Sequence, residues 1–234
     1  MATRPECPLE DTSEPVTYQK TTLCPFHHKI HEPLPESQSI KSTPWQRHGF
    51  DDVFRSSFTS KLLRDIGGGD KIRQMTTRFY AHAHEDDTLS KFMFENDGPA
   101  NHGQRLGDWL IEKMGGEGDV WIESGRYGMR AVSHKKAWTC DKREPEKVGQ
   151  RFKLDDSRIW MRLMFWSARE VGLDKHKAFF KWFVNFITFA IGIYTRSAPA
   201  YAKEDSKWSK NQANIDKYIE HGKIMKDVVG MRDP

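Results

Sequence analysis

Asp70-Lys71-Ile72-Arg73-Gln74-Met75-Thr76-Thr77-Arg78-Phe79-Tyr80-Ala81-His82-Ala83-His84 follows directly on Gly67-Gly68-Gly69 and holds the clearest repeat in the chain. Ile72, Met75, Phe79 and Ala83 recur every three or four residues, the spacing that puts side chains on one face of an α-helix. Asp70 is the candidate N-cap, because its carboxylate can accept hydrogen bonds from the free amides of the first turn. Phe79 lies in the apolar stripe and belongs in a core; Tyr80 lies beside it.

Working outward, Phe54, Phe58, Leu62 and Ile66 are four apart and predict a helix from about residue 50 up to the glycines, where a positive φ costs little. Residues 85–94 change composition abruptly and suit a tight corner that turns apolar side chains inward. A third helix over 99–114, closed by Gly115-Gly116, places His102 on one face with Leu106 and Trp109. An irregular, glycine-containing stretch leads to Met129-Arg130-Ala131-Val132-Ser133-His134, and residues 140–153 read as a charged, exposed loop. Long helices are expected over 155–171, with Ile159, Leu163 and Trp166 on one face and Trp160 beside them, and over 175–196. A last helix, about 211–229, has a weak stripe of Ile215, Tyr218, Ile224 and Val228. No alternating pattern suggests a strand. The expectation is an all-α domain of about six helices.

Composition narrows the function. Apolar residues make up only 37% of the 234 residues, unevenly spread, which points to polar extensions around one normally apolar domain. The expected division is a disordered, proline-rich arm over 1–48, a domain over 49–197 and a polar, partly helical extension over 198–234. Lys and Arg exceed Asp and Glu by 37 to 33 with no long run of one sign, so nucleic acid is not an expected partner. Cys7, Cys24 and Cys140 are an odd number without a CxxC pair, and no apolar leader opens the sequence, so a reducing, cytoplasmic setting is expected. Residues 178–194 are apolar but interrupted by Lys181, Asn185 and Thr188, which fits a core helix and no membrane association. Cys24, His27, His28 and His31 are close in sequence but lack a second ligand group at a set spacing, and read as solvated side chains.

Several short fragments occur in a telling order: Phe79-Tyr80-Ala81, Glu85-Asp86 with Leu89, Arg105-Leu106 with Leu110, Gly115-Gly116, Met129-Arg130 before His134, and Trp160-Met161-Arg162 with Met164. In that order and at nearly those spacings the chain resembles the truncated haemoglobins, two-on-two helical globins, and within them the second group. The resemblance covers about residues 62–196. The stretch between His134 and Trp160 is longer than is usual in the family.

The resemblance implies haem b, iron protoporphyrin IX, as cofactor, with His134 as the proximal iron ligand. Tyr80 corresponds to the distal tyrosine that points at the bound ligand, and Trp160 to the indole that closes the distal site. His102 corresponds to the first pocket position of the distal helix, where it would donate a hydrogen bond, bind iron as a sixth ligand or gate entry. Arg105 corresponds to a haem propionate partner. Phe92, Met93 and Phe94 compete for the corner position that stacks on the porphyrin; Leu106, Trp109 and Met129 would line the apolar cavity. The implied function is reversible binding of dioxygen or another diatomic gas. Redox turnover of nitric oxide or peroxide, as a nitric oxide dioxygenase or peroxidase, would need an unidentified reductase. The competing expectation is a haem-free globin-fold interaction or regulatory module, its pocket filled by side chains such as Trp109 and Phe94.

Overall fold

The computed structural model describes residues 54–228. The arm expected over 1–48, with Cys24, His27, His28 and His31, lies outside the described residues, as do 49–53 and 229–234. Among the described residues every regular element is helical.

Helix α1 (Ser57–Asp65) opens on a reciprocal cap, Thr59 N–H donating to Ser56 Oγ at 3.2 Å and Ser56 N–H to Thr59 Oγ1 at 3.0 Å. This cap starts the helix later than the four-residue spacing suggests. Phe54 therefore precedes it, fully buried with its ring 4.6 Å from that of Phe186, while Phe58 points outward and is 52% exposed. Helix α2 (Gly69–Glu85) runs where the periodicity put it, with Ile72, Met75, Phe79 and Ala83 all buried. Its N-cap is Gly68 at φ 85°, a left-handed position that suits glycine; Asp70 falls inside the first turn instead and pairs with Arg73 at 3.2 Å.

Helix α3 (Gly98–Lys113) packs against α2 unusually closely. Its Gly103 and Gly107, one turn apart, are the reason: a Cβ at Gly103 would lie 2.4 Å from Thr77 Cα, and one at Gly107 3.1 Å from Arg73 Cα. Thr76 Oγ1 uses the proximity to donate to the Gly103 carbonyl at 2.7 Å. The stretch read as irregular contains helix α4 (Val120–Glu123), whose Trp121 and Ile122 amides donate to the buried Glu112 carboxylate at 2.9 and 3.0 Å. Helix α5 (Met129–Trp138) follows Gly128, at φ 72°, and carries His134.

Most of residues 140–153 is exposed, as their charge suggested, but two side chains turn in. Arg143 turns inward, donates to the Trp138 and Gln150 carbonyls at 2.7 Å each and covers the Phe92 ring at 4.6 Å, while Cys140 is buried. Helices α6 (Leu154–Glu170) and α7 (Lys177–Gly192) supply much of the core, with Phe165, Phe179, Phe183 and Phe186 sealed between elements. No helix among the described residues is long and apolar enough to cross a membrane.

Helices α8 (Ala202–Trp208) and α9 (Gln212–Glu220) lie against the domain. Asp205 enters the interior to meet Arg158 and Arg162 of α6. Tyr218 donates its hydroxyl proton to the buried Asp86 carboxylate at 3.0 Å. Of the weak C-terminal stripe, Ile215, Tyr218 and Val228 are buried and Ile224 is exposed.

Candidate functional site

A cavity of about 230 Å³ opens among α3, α5, α6 and α7, with Tyr80 of α2 reaching into its wall. Leu106, Leu110, Met164, Ile187 and Ile191 make it apolar. The helical spacing explains the set: Leu106 and Leu110 are one turn apart, as are Trp160 and Met164 and as are Ile187 and Ile191.

His134 lines this cavity. Its imidazole stands 4.5 Å from the Tyr194 ring and 5.7 Å from that of Phe152, both edge-on. Nδ1 is sealed from solvent and has no hydrogen-bond partner. Burial first, and then the charge of Arg130 one turn earlier, push its pKa down to about 4, so the ring is neutral at physiological pH. The carbonyl or carboxylate that commonly orients a ligating histidine is missing, and an unsatisfied buried polar atom costs on the order of 1–3 kcal/mol.

The other polar groups of the cavity are better held. Burial pushes the Tyr80 phenol up to about 12, so its hydroxyl keeps its proton. The His102 ring lies 5.0 Å from that of Tyr80. Its Nδ1 faces two acceptors, the Gly98 carbonyl and the Asp97 carboxylate, each at 3.1 Å. Burial lowers the His102 pKa, so the ring is neutral, and two acceptors on Nδ1 assign the single proton there. Nε2 is left with a lone pair. Of the roles open to His102, donation from Nε2 is thus removed, while accepting a hydrogen bond or binding a metal remains. Trp160 lines the cavity beside Phe79, at 5.2 Å between rings.

Phe92, Met93 and Phe94 all line the cavity, so the corner competition ends with three participants. Leu106 and Trp109 line it as well; Met129, at the start of α5, does not. Arg105 reaches the cavity but is already committed, to Glu95 at 2.6 Å and to both oxygens of Asp97. That neutralises it as a partner for an incoming carboxylate. Glu95, Asp97 and His102 offer ligand atoms within 4.8 Å of one another, but the Arg105 guanidinium already supplies the positive charge that the two carboxylates would give a metal ion.

Sequence reasoning missed Arg126, Arg130, Phe152 and Tyr194, which also line the cavity. Arg130 had a signal, its position one turn before His134. Phe152 was hidden in a stretch whose charges suggested a solvated loop. Comparison of the chain with protein-family models, with curated proteins and with solved structures finds no match.

The donor set suits a haem. A neutral imidazole without a hydrogen bond faces apolar walls of aromatic and branched side chains, and Arg126 offers a cation for a carboxylate. The volume is tighter than the roughly 300–1,000 Å³ of ordinary small-molecule sites. A flat tetrapyrrole would need these walls to part.

Proposed function

We propose that this chain is a haem-binding globin of the truncated, two-on-two kind, taking haem b on His134 and reversibly binding dioxygen or another diatomic gas. One observation carries the reading: the neutral, unbonded imidazole of His134 in an apolar cavity whose walls also hold Tyr80, His102 and Trp160. The close α2–α3 pair, with α6 packed on α2 and α7 adding its wall to the same cavity, supports two-on-two packing among all-α folds.

The haem would supply reversible diatomic binding and, given an electron donor, redox turnover of nitric oxide or peroxide. The chain's residues supply the rest. His134 offers a lone pair that protons do not take until the pH nears 4. Tyr80 retains a proton to donate, and the Trp160 indole can only donate. A hydrogen bond to a charged partner is worth about 1.5–3 kcal/mol, so one such donor slows ligand escape by roughly tenfold to a hundredfold. His102, with its proton held by Gly98 and Asp97, would offer its Nε2 lone pair to a donor in the cavity or to the iron. Arg126, which meets no carboxylate of a described residue, would take a propionate in place of Arg105.

The test is direct. Hemin added to the purified full chain should give a Soret band saturating at one haem per chain, and His134→Ala should abolish or strongly shift it. The tightness of the cavity favours one other reading, a haem-free interaction module closed by Trp109 and Phe94. A chain that takes up no hemin would establish that reading instead.

A further inference from the structure

The arginines that close the fold are paired. Arg73, Arg78, Arg105, Arg158, Arg162 and Arg169 each reach a carboxylate at 2.6–2.8 Å. Arg126, Lys135, Lys136 and Arg151, on and around α5, meet no carboxylate of a described residue. Three of them lie over aromatic rings instead: Arg126 over Trp121 at 5.9 Å, Lys136 over Phe94 at 5.7 Å and Arg151 over Trp138 at 5.4 Å.

The segment around α5 is also the basic part of the sequence. Residues 120–153 hold nine Lys or Arg against four Asp or Glu, a net +5 within a chain whose total is +4, so the remainder is net negative. The same segment exposes Ile122, Tyr127, Val132 and Val148, half of the exposed large apolar side chains among the described residues. Along α5, Val132, Lys135, Lys136 and Thr139 face water at the spacing of one helix face, while Arg130, Ser133, His134 and Ala137 line the cavity.

We propose that the outer face of α5, with Tyr127 before it and Arg151 against its last residue, docks an acidic protein that delivers electrons to the cofactor held by His134. Unneutralised cations raise a field that steers an acidic partner in. Isolated apolar side chains, a tyrosine and arginines are the composition of a protein interface. A lipid surface would call for a continuous apolar stripe, and here charges interrupt every apolar residue. A partner seated on this face is one helix diameter, about 10–12 Å, from the cavity wall. The step is a one-electron transfer: a reduced flavin or iron–sulfur centre loses one electron, and ferric iron becomes ferrous. Electron delivery rests on the haem reading, whereas docking does not.

The experiment separates the two. Isotope-labelled full chain, without haem, is titrated with a strongly acidic flavodoxin at low salt and, in a parallel arm, with phosphatidylserine vesicles, while amide shifts are followed by NMR. Shifts should gather on residues 126–139 and 148–151 and fade once salt shortens the screening length to a few ångströms. The variant Lys135→Glu/Lys136→Glu/Arg151→Glu should bind flavodoxin at least tenfold more weakly, while Lys177→Glu/Lys181→Glu, on an exposed part of α7, behaves as the parent. With haem loaded, reduction by flavodoxin should slow at least tenfold in the same triple variant. Shifts scattered over the surface, a triple variant that binds like the parent, or vesicles moving these amides where flavodoxin does not, would each overturn the docking surface. Normal docking by a chain that takes up no hemin overturns the haem reading alone. Normal docking with an unchanged reduction rate removes electron delivery.

Discussion

The two flanks of α6 treat polar groups in opposite ways. On the flank turned to α8, Arg158 and Arg162 converge on Asp205, itself fully buried, at 2.8–3.0 Å, while Glu204 shares Arg158 Nη2 at 2.9 Å and Asp227 accepts from Arg162 Nη1 at 2.8 Å. Tyr201 lies 4.2 Å from the Arg158 guanidinium and Trp208 5.5 Å from that of Arg162. On the flank turned to the cavity, Trp160 and Met164 face a space in which His134 bonds to nothing. Buried charges satisfied by one another are committed to holding the fold. A neutral ring left unsatisfied in an apolar wall instead costs the fold stability.

Cutting the satisfied flank should have the largest effect. Asp205→Ala strands two buried guanidinium groups and should lower unfolding stability by about 3–5 kcal/mol, read from urea denaturation. Replacing all three charges, as Arg158→Met/Arg162→Met/Asp205→Leu, should restore most of it. If the single variant unfolds at the parent's midpoint, the contrast between the flanks collapses.

The unsatisfied flank should answer to pH. An unfolded histidine titrates near 6.5 and His134 in the fold at about 4, so between these values the unfolded chain binds a proton that the folded chain refuses. Stability contributed by the neutral ring is then lost as the pH falls from 6.5 to 4, by up to about 3 kcal/mol. His134→Leu should flatten that slope and outlast the parent at pH 4.5. An equally steep slope in the variant would place the acid sensitivity elsewhere.

The close helix pair comes next. Gly103→Ala sets a Cβ against the backbone of Thr77 and should cost about 1–3 kcal/mol, with the ring contact between Tyr80 and His102 loosened in aromatic NMR spectra. The smallest effect separates the arginines of the cavity: Arg126→Ala should weaken hemin binding about fivefold, in line with a partly exposed ion pair, and Arg105→Ala by less. A reversed order would restore Arg105 as the propionate partner despite Glu95 and Asp97.

How much of this could be read from the sequence depended on which kind of information decided each feature. Periodicity is local, so α2, α3, α6 and α7 fell within a few residues of their expected spans. Caps and exposure depend on partners, and there the reading slipped. Asp70 had the right chemistry for a cap, but the left-handed Gly68 took the position; Phe58 kept the helical spacing but faced water because α1 starts at Ser57. His134, Tyr80, His102 and Trp160 line one cavity. The fate of Arg105 was not visible, since it turns on Glu95 and Asp97 reaching it across a corner. Arg143 and Phe152 turned inward from a stretch that composition alone marks as solvated, because a guanidinium that finds two carbonyls no longer needs water.

The knot of Arg158 and Asp205 also sets an order in time. The two are 47 residues apart, and a ribosome adding about 5–20 residues each second needs roughly 2–10 seconds to go from one to the other. Throughout that interval the nascent α6 holds two guanidinium groups that only solvent can satisfy. That helix cannot close over its outer flank until the acid that comes after it has emerged, so the synthesis of α8 is itself a folding step.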